Sequence, residues 1–393
     1  MLHQLSGSTI DGAVYTVDAA GNRTSKADQL AGVTSNYSYD AIYELTQVTQ
    51  GATTTESYSY DPVGNRLSSL GVSPYQYNPS NEMVSTPTAL YVYDSNGNTT
   101  SKTDSTGTTS YTWDFENRLT QVTLPASGGT VTFRYDPFGR RIQKAFSQGS
   151  TTTTTNYVHD GDDTAEETDQ NGNALAKYAR TMSVDEPLAE SRSGSTSYYE
   201  TDGLGSITSL TSSAGTIVQT YTYDSFGKTT NSTGSLANPF RYAAREFDTE
   251  AGFYYLRNRY YDLNAGRFFS EDPIGFRGGI NLYAYVGNNA TNQTDPDGEG
   301  YVDCNKALAE LLEATARVTA RTAAIAAHGG RPDVGHQKAL QQAVVQLKEA
   351  LDKVRKHCGC YVQLAAEIAA AIAAAEAALE AAAPYLAMAA AAA

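Results

Sequence analysis

Tyrosines recur two positions apart along the first half of the chain, and an aspartate follows each pair at once. The pattern reads YSYDAIYELTQV from Tyr37, YSYDPVGNRLSSL from Tyr58, YVYDSNGNTTSK from Tyr91 and YTWDFENRLTQV from Tyr111. It returns as FRYDPFGRRIQK from Phe133 and YTYDSFGKTTN from Tyr221, with weaker copies around Asp18, Tyr77-Asn78 and Asp202. Alternation puts both rings of a pair on one face of a strand. The aspartate opens a turn, the following glycine supplies positive φ, and apolar or β-branched residues form the return strand. One such hairpin is marginal alone, so stacked hairpins must bury one another's aromatics. Copies lie about 16 to 24 residues apart, which fits one hairpin per copy. The pattern predicts a hairpin-repeat sheet over residues 1–240.

From residue 303 the period changes to that of helices. The segment after Asp303 reads as a helix ended by Gly329-Gly330. Leu340, Val344, Leu347, Leu351 and Val354 alternate spacings of four and three on a second helix, broken at Gly359. Leu364, Ile368, Ile372 and Leu379 mark a third, Ala-rich helix that should stop near Pro384. Glu367, Glu376 and Glu380 interrupt it, and charges at bilayer depth are costly, so no membrane span is expected.

Between the two patterns lies an aromatic and arginine-rich stretch. Phe253 to Asp262, FYYLRNRYYD, reads as strand, with Arg257 and Arg259 on one face. Asp272-Pro273-x-Gly275 and Asp295-Pro296-x-Gly298 are turn sequences, and Gly278 to Val286 reads as a strand between them.

The segments GFYYLRNRYYD, GRFFSEDPIG, GGINLYAYVGNN and DPDG, in that order, resemble the core motif of RHS-repeat proteins of the polymorphic-toxin type. In that family the core ends a long YD-repeat shell and precedes a variable C-terminal domain. The resemblance implies a mainly β fold with an α-helical tail. The YD-repeat sheet over 1–240 would form a partial shell wall, an RHS-associated core would occupy 241–300, and a variable helical domain 301–393.

The net charge of −15 offers no basic stripe, so nucleic acid is not an expected partner. MLHQLSGSTIDG has neither a basic nor an apolar leader region. The expectation is a secreted or cell-surface protein whose export signal lies on a missing N-terminal part. The three cysteines, Cys304, Cys358 and Cys360, all lie in the tail. Cys304 begins the first helix and Cys358 ends the second, so an antiparallel pair would bring them together as a disulfide. Zinc lacks a convincing fourth ligand. Asp160, Asp162 and Asp163 cluster, as do the polar groups of Asp94 to Asn98, but neither matches a calcium-loop spacing. No metal or cofactor is expected.

Two carboxylates held close can share a proton, so that one activates water while the other protonates the peptide oxygen. Asp272 and Asp295 supply such a pair, with Arg267 as the charge partner; spacing alone reads both as turn residues. The resemblance implies self-cleavage just after the second Asp-Pro-x-Gly motif, within Gly298, Glu299 and Gly300. Asp262 and Asp297 remain alternative acids. Two departures argue against cleavage and for a plug that only folds the core: Glu299 stands where the family has Leu, and the spacer is about one residue longer. In the tail, His328, His336 and His357 form no catalytic pattern. The segment from Gly335 to Cys360 resembles a helical tail that recurs after RHS cores.

The reading is a scaffold that encloses or displays its C-terminal domain, with at most an intramolecular aspartyl-type autoprotease activity. Its expected partners are an immunity protein or a target-cell surface. The rival is a non-enzymatic adhesive repeat protein whose tyrosine rings bind carbohydrate. A third is a carrier of an unrecognised toxin domain at 303–393.

Overall fold

The computed structural model describes residues 2–5, 8–181, 183–300, 304–327, 334–357 and 365–390. They form two compact units, residues 1–301 and 302–393.

In the first unit the chain runs up and down from Leu2 to Thr233, each strand pairing with its sequence neighbours. A seven-stranded sheet spans Leu2 to Ser69 and a sixteen-stranded sheet Gln76 to Thr233. The turns are built by the aspartates. Asp61 Oδ1 accepts the amides of Val63 (3.0 Å) and Asn65 (2.9 Å). Asp114, Asp136, Asp169, Asp202 and Asp224 do the same two and four residues on. The second tyrosine of each pair then reaches back to the preceding turn. Tyr39 donates to Arg23 O (2.6 Å), Tyr60 to Leu45 O (2.9 Å), Tyr135 to Leu119 O (2.6 Å) and Tyr223 to Ile207 O (2.8 Å). Each acceptor begins the previous return strand, so every repeat fastens the one before it.

The segment after the wall is a four-stranded antiparallel sheet: Glu246–Asp248, Phe253–Leu256, Arg259–Asp262 and Arg267–Phe268. Its central hairpin buries both faces, as alternation requires. Phe253, Tyr255 and Tyr260 pack on Tyr111, Leu119, Val122 and Phe133. Tyr254, Leu256 and Tyr261 pack on Leu45, Val48, Phe226 and Tyr285. Each buried ring contributes roughly 2–3 kcal/mol.

Two local expectations change here. Phe253 to Asp262 is two strands rather than one, turned at Arg257-Asn258 with Arg257 at φ 53°. Arg257 and Arg259 therefore do not share a strand face. Gly278 to Val286 is not a strand; its one ladder contact is the bridge between Arg267 and Ala284. Its rings fix it instead, because Tyr283 donates to Gly97 O at 2.8 Å and Tyr285 enters the buried aromatic cluster.

The second unit contains α1 (Cys304–Ala327), α2 (Val334–His357) and α3 (Ala365–Ala390). Leu311, Val318, Leu340, Leu347, Leu351 and Val354 form its interior. Helix α3 does not stop near Pro384 but continues to Ala390. Proline removes one hydrogen bond, while the alanines favour helix and Tyr385 and Leu386 still pack against the interior. The buried face of α3 is the stripe Ala371, Ala375, Ala378 and Ala382, with Ile372 and Leu379 only partly covered. The expected Cys304–Cys358 disulfide, with Cys360, His328 and the rings of His357, lies outside the described residues.

The turn geometry generates a prediction. The third residue after the turn aspartate has positive φ, as at Gly64 and Gly139. At Asp40 that residue is Tyr43, at φ 68° and 48% exposed. A bulky residue in this region costs about 1–2 kcal/mol, and glycine costs chain entropy in return. Tyr43→Gly should therefore stabilise the wall by about 0.5–1 kcal/mol, read by urea unfolding through Trp113, the single tryptophan. Gly139→Ala, with open space around its Cα but φ +82°, should shift stability the other way.

Candidate functional site

Asp272 and Asp295 lie in separate turns and meet on one side chain. Arg259 Nη2 is 3.0 Å from Asp272 Oδ2 and 3.3 Å from Asp295 Oδ2. All three are buried. The guanidinium lies over the Phe268 ring at 3.5 Å, which fixes its plane. Its Nη1 donates to Leu282 O at 3.0 Å, and its Nε donates to Gly298 O. One arginine thus holds both carboxylates and the backbone just after the second Asp-Pro-x-Gly turn.

That backbone is fastened from both sides. Asp295 Oδ1 accepts Glu299 N at 3.1 Å, and Oδ2 accepts Gly300 N at 3.0 Å. Asp272 Oδ2 borders the same residue, lying 3.4 Å from where a Gly300 Cβ would stand. Glycine is required at Gly298, where φ is +69° and a Cβ would fall 2.3 Å from Leu256 O. Arg257, in the hairpin turn, donates to Pro296 O at 2.5 Å. Asn258 donates both its backbone N–H and its side-chain amide to Asp297 O, each at 3.1 Å, and its side-chain amide also to Glu299 Oε1 at 3.0 Å. The Glu299 carboxylate is therefore held by the hairpin turn.

The electrostatics follow from burial. Burial raises Asp272 above the usual carboxylate range, and the Arg259 charge offsets only part of the rise. Asp295 is raised for the same reason, with Asp272 and Asp297 adding to it. A groove of about 500 Å³, lined by Asn96, Asn117, Tyr135, Phe138 and Asn258, leads to Asp272.

Among the sequence-selected residues, Asp272, Asp295, Gly298, Glu299 and Gly300 come together. Arg267 does not: its guanidinium lies over Tyr77 and Tyr283 and donates to Asn81 O at 2.5 Å. Arg259 stands where Arg267 was expected. Asp262 caps its own turn and pairs with Lys102 at 3.3 Å. Asp297 faces Arg257 at 3.8 Å. The sequence places Arg257 and Arg259 on a strand face but assigns neither them nor Asn258 to the site. The signal was the R-N-R string itself, which as a two-residue hairpin turn aims the flanking groups at whatever loop crosses it.

The acidic residues near 160 serve arginines. Asp163 pairs with Arg257 at 3.1 Å and Arg180 at 3.5 Å, while Asp185 takes Arg257 at 2.8 Å and also Arg245. Asp94 caps its turn through Asn96 and Asn98. Among the described residues no group of three His, Cys, Asp or Glu converges as a metal site. No described helix is long and apolar enough to cross a membrane.

The chain is similar to known proteins. Residues 21–289 match the family model Teneurin YD-shell. The tRNA nuclease WapA of Bacillus subtilis is 33% identical over 277 residues, covering 66% of this chain and 12% of WapA. The double-stranded DNA deaminase toxin A of Burkholderia cenocepacia is 29% identical over 305 residues, covering 70% of this chain and 21% of that protein. A Photorhabdus luminescens Tc holotoxin pore structure is 19% identical, covers 76% of this chain and 19% of that chain, and superposes with a TM-score of 0.41. This chain thus spans between 12% and 21% of the length of these proteins. With the family match over residues 21–289, the Tyr-Asp hairpin wall and the aromatic core that fills it, the chain belongs to the YD-shell family of RHS-repeat proteins.

Proposed function

We propose that this chain is an RHS-type scaffold that carries its C-terminal helical domain and severs the Glu299–Gly300 bond. One observation carries the reading. Asp272 and Asp295 converge on a single guanidinium, and Gly300 N is bonded to one of them. In the reaction, water adds to the Glu299 carbonyl carbon and gives a proton to one carboxylate. The other, protonated, carboxyl gives a proton to Gly300 N as the C–N bond breaks. The products are a carboxyl at 299 and an amine at 300. Asp272 borders the groove and suits the first role; Asp295, 3.0 Å from Gly300 N, suits the second. Arg259 anchors Gly298 O, so the reacting bond is positioned by its neighbour.

The wider setting is a secreted or surface scaffold of bacterial competition, with an immunity protein or a target cell as partner. The relatives named as a tRNA nuclease and as a DNA deaminase toxin support that setting.

Intact mass spectrometry tests the cut. The wild-type chain should give fragments 1–299 and 300–393, and Asp272→Asn and Asp295→Asn should each stay whole. One uncut mass in all three would sink the proposal.

Arg259→Met tests the electrostatics separately. It leaves two buried carboxylates without their counter-charge, a loss of about 3–5 kcal/mol. Carboxylates whose folded pKa is raised bind protons in the native state, so the loss should shrink as pH falls. Urea unfolding followed at Trp113 should show the larger loss at pH 7.5 and the smaller at pH 5.

A further inference from the structure

We propose that the strands Ser8–Val17, Arg23–Asp28 and Val33–Tyr39 form a hinged flap over a cleft, latched by Lys26 to Asp202.

These strands belong to the seven-stranded sheet, yet they lie against the far end of the sixteen-stranded one, with no ladder joining the two there. The contact is made mostly by polar groups, with the half-buried rings of Tyr37 and Tyr39 also packed against the aromatic cluster of the core. Lys26 Nζ meets Asp202 Oδ2 at 2.9 Å. Asp11 Oδ2 accepts Thr208 Oγ1 at 2.6 Å and Ser209 Oγ at 2.7 Å. Arg23 Nη2 donates to Gly203 O at 2.8 Å, and Gly203 N donates to Tyr15 Oη at 2.9 Å. At its edge the flap also touches the core, through Arg23 Nη1 to Thr291 O at 2.5 Å and Tyr39 to Thr291 Oγ1 at 2.8 Å.

The next strands are held differently. Leu45 and Val48 sit in the buried cluster with Phe226, Tyr254 and Tyr261, and Tyr58 meets Phe226 edge-on at 5.0 Å. Separating that half exposes apolar surface. Separating the flap uncovers only the half-buried rings of Tyr37 and Tyr39, and otherwise exchanges hydrogen bonds with protein for hydrogen bonds with water. Openings of that kind are the lower-cost openings of a fold. The boundary near Leu45 is therefore the hinge.

Behind the flap is a cleft of about 350 Å³, open to solvent on one side and lined by Tyr15, Tyr37, Tyr221, Tyr223, Tyr242 and the latch pair. Opening the flap widens this cleft while the core hairpin stays packed. The latch is set by charge. Burial works to raise Asp202, but Lys26 overrides it and holds the carboxylate below its usual range. Removing Lys26 leaves a buried carboxylate without its counter-charge, and an open flap solvates it better than a closed one.

Hydrogen exchange read by mass spectrometry on the full chain tests this. In the wild type, amides of 8–39 and of 200–212 should exchange at least tenfold faster than the ladder of 130–160. Lys26→Met should speed both segments a further tenfold or more and leave 110–135 unchanged. Lys26→Met with Asp202→Asn, which removes both charges, should return them to near wild-type rates. Three outcomes overturn the flap: wild-type protection in 8–39 equal to that in 130–160, acceleration spread over the whole wall, or no recovery in the double variant. Should Lys26→Met fail to fold, the wild-type comparison decides alone.

Discussion

The wall depends on one repeated interaction, the hydroxyl of the second tyrosine in each pair bonded to the first carbonyl of the previous return strand. An Asp-capped turn fixes only its own four or five residues. The tyrosine bond couples that turn to the next hairpin, about 15 residues away, so spacing and register pass along the chain. The interaction needs a donor on a long flat ring rather than tyrosine itself. Trp113 fills the same place with its indole N–H, 2.7 Å from Thr99 O. Asn78 replaces the turn aspartate and still accepts the amides of Ser80 and Glu82. A repeat tolerates such exchanges because the geometry is carried by donor and acceptor positions.

A wall of this kind leaves rings on its inner face that must be covered. The hairpin Phe253–Asp262 covers them by presenting aromatics on both faces, which no strand with a wet side can do. Burying it brings charges inside, and the structure answers with arginines. Arg141 Nη1 meets Asp248 and its Nη2 meets Glu246, both at 2.5 Å, so one wall arginine grips two residues of the same core strand. Burial works to raise Glu246, but Arg141 and Arg245 hold it down to about 2. A slip of that strand by two residues would break both ion pairs and leave charges unpaired in the interior, which is far costlier than losing apolar contact. The arginines therefore set the register between wall and core.

The wall was legible because its signal is periodic: tyrosine spacing gives the face, aspartate the turn, and their recurrence the sheet. The helical unit was legible in the same way, down to Leu340, Val344, Leu347, Leu351 and Val354. What failed was aperiodic. Two basic residues at Arg257 and Arg259 look like one strand face until the chain turns between them. Residues Gly278 to Val286 carry a strand composition, but Tyr283 and Tyr285 find partners in the wall that outweigh ladder pairing. Pro384 reads as a stop, yet one lost hydrogen bond is outweighed by the packing of Tyr385 and Leu386. The site was half legible: the Asp-Pro turns name both carboxylates, while the arginine between them is chosen by a hairpin that only the fold reveals.

That arginine changes the chemistry of the pair. Two bare carboxylates a few ångströms apart cannot both ionise and share a proton. Here a cation lies between them, so both ionise at lower electrostatic cost. A site with both carboxylates ionised has a base but no proton donor for Gly300 N. Burial acts the other way, raising both acids. The balance between Arg259 and desolvation decides how often one carboxyl carries the proton. Burial also lowers Arg259 below its usual range, and the charges of Asp295, Asp272 and, last, Glu299 act against that fall, so the three charges and the buried arginine are set by one another.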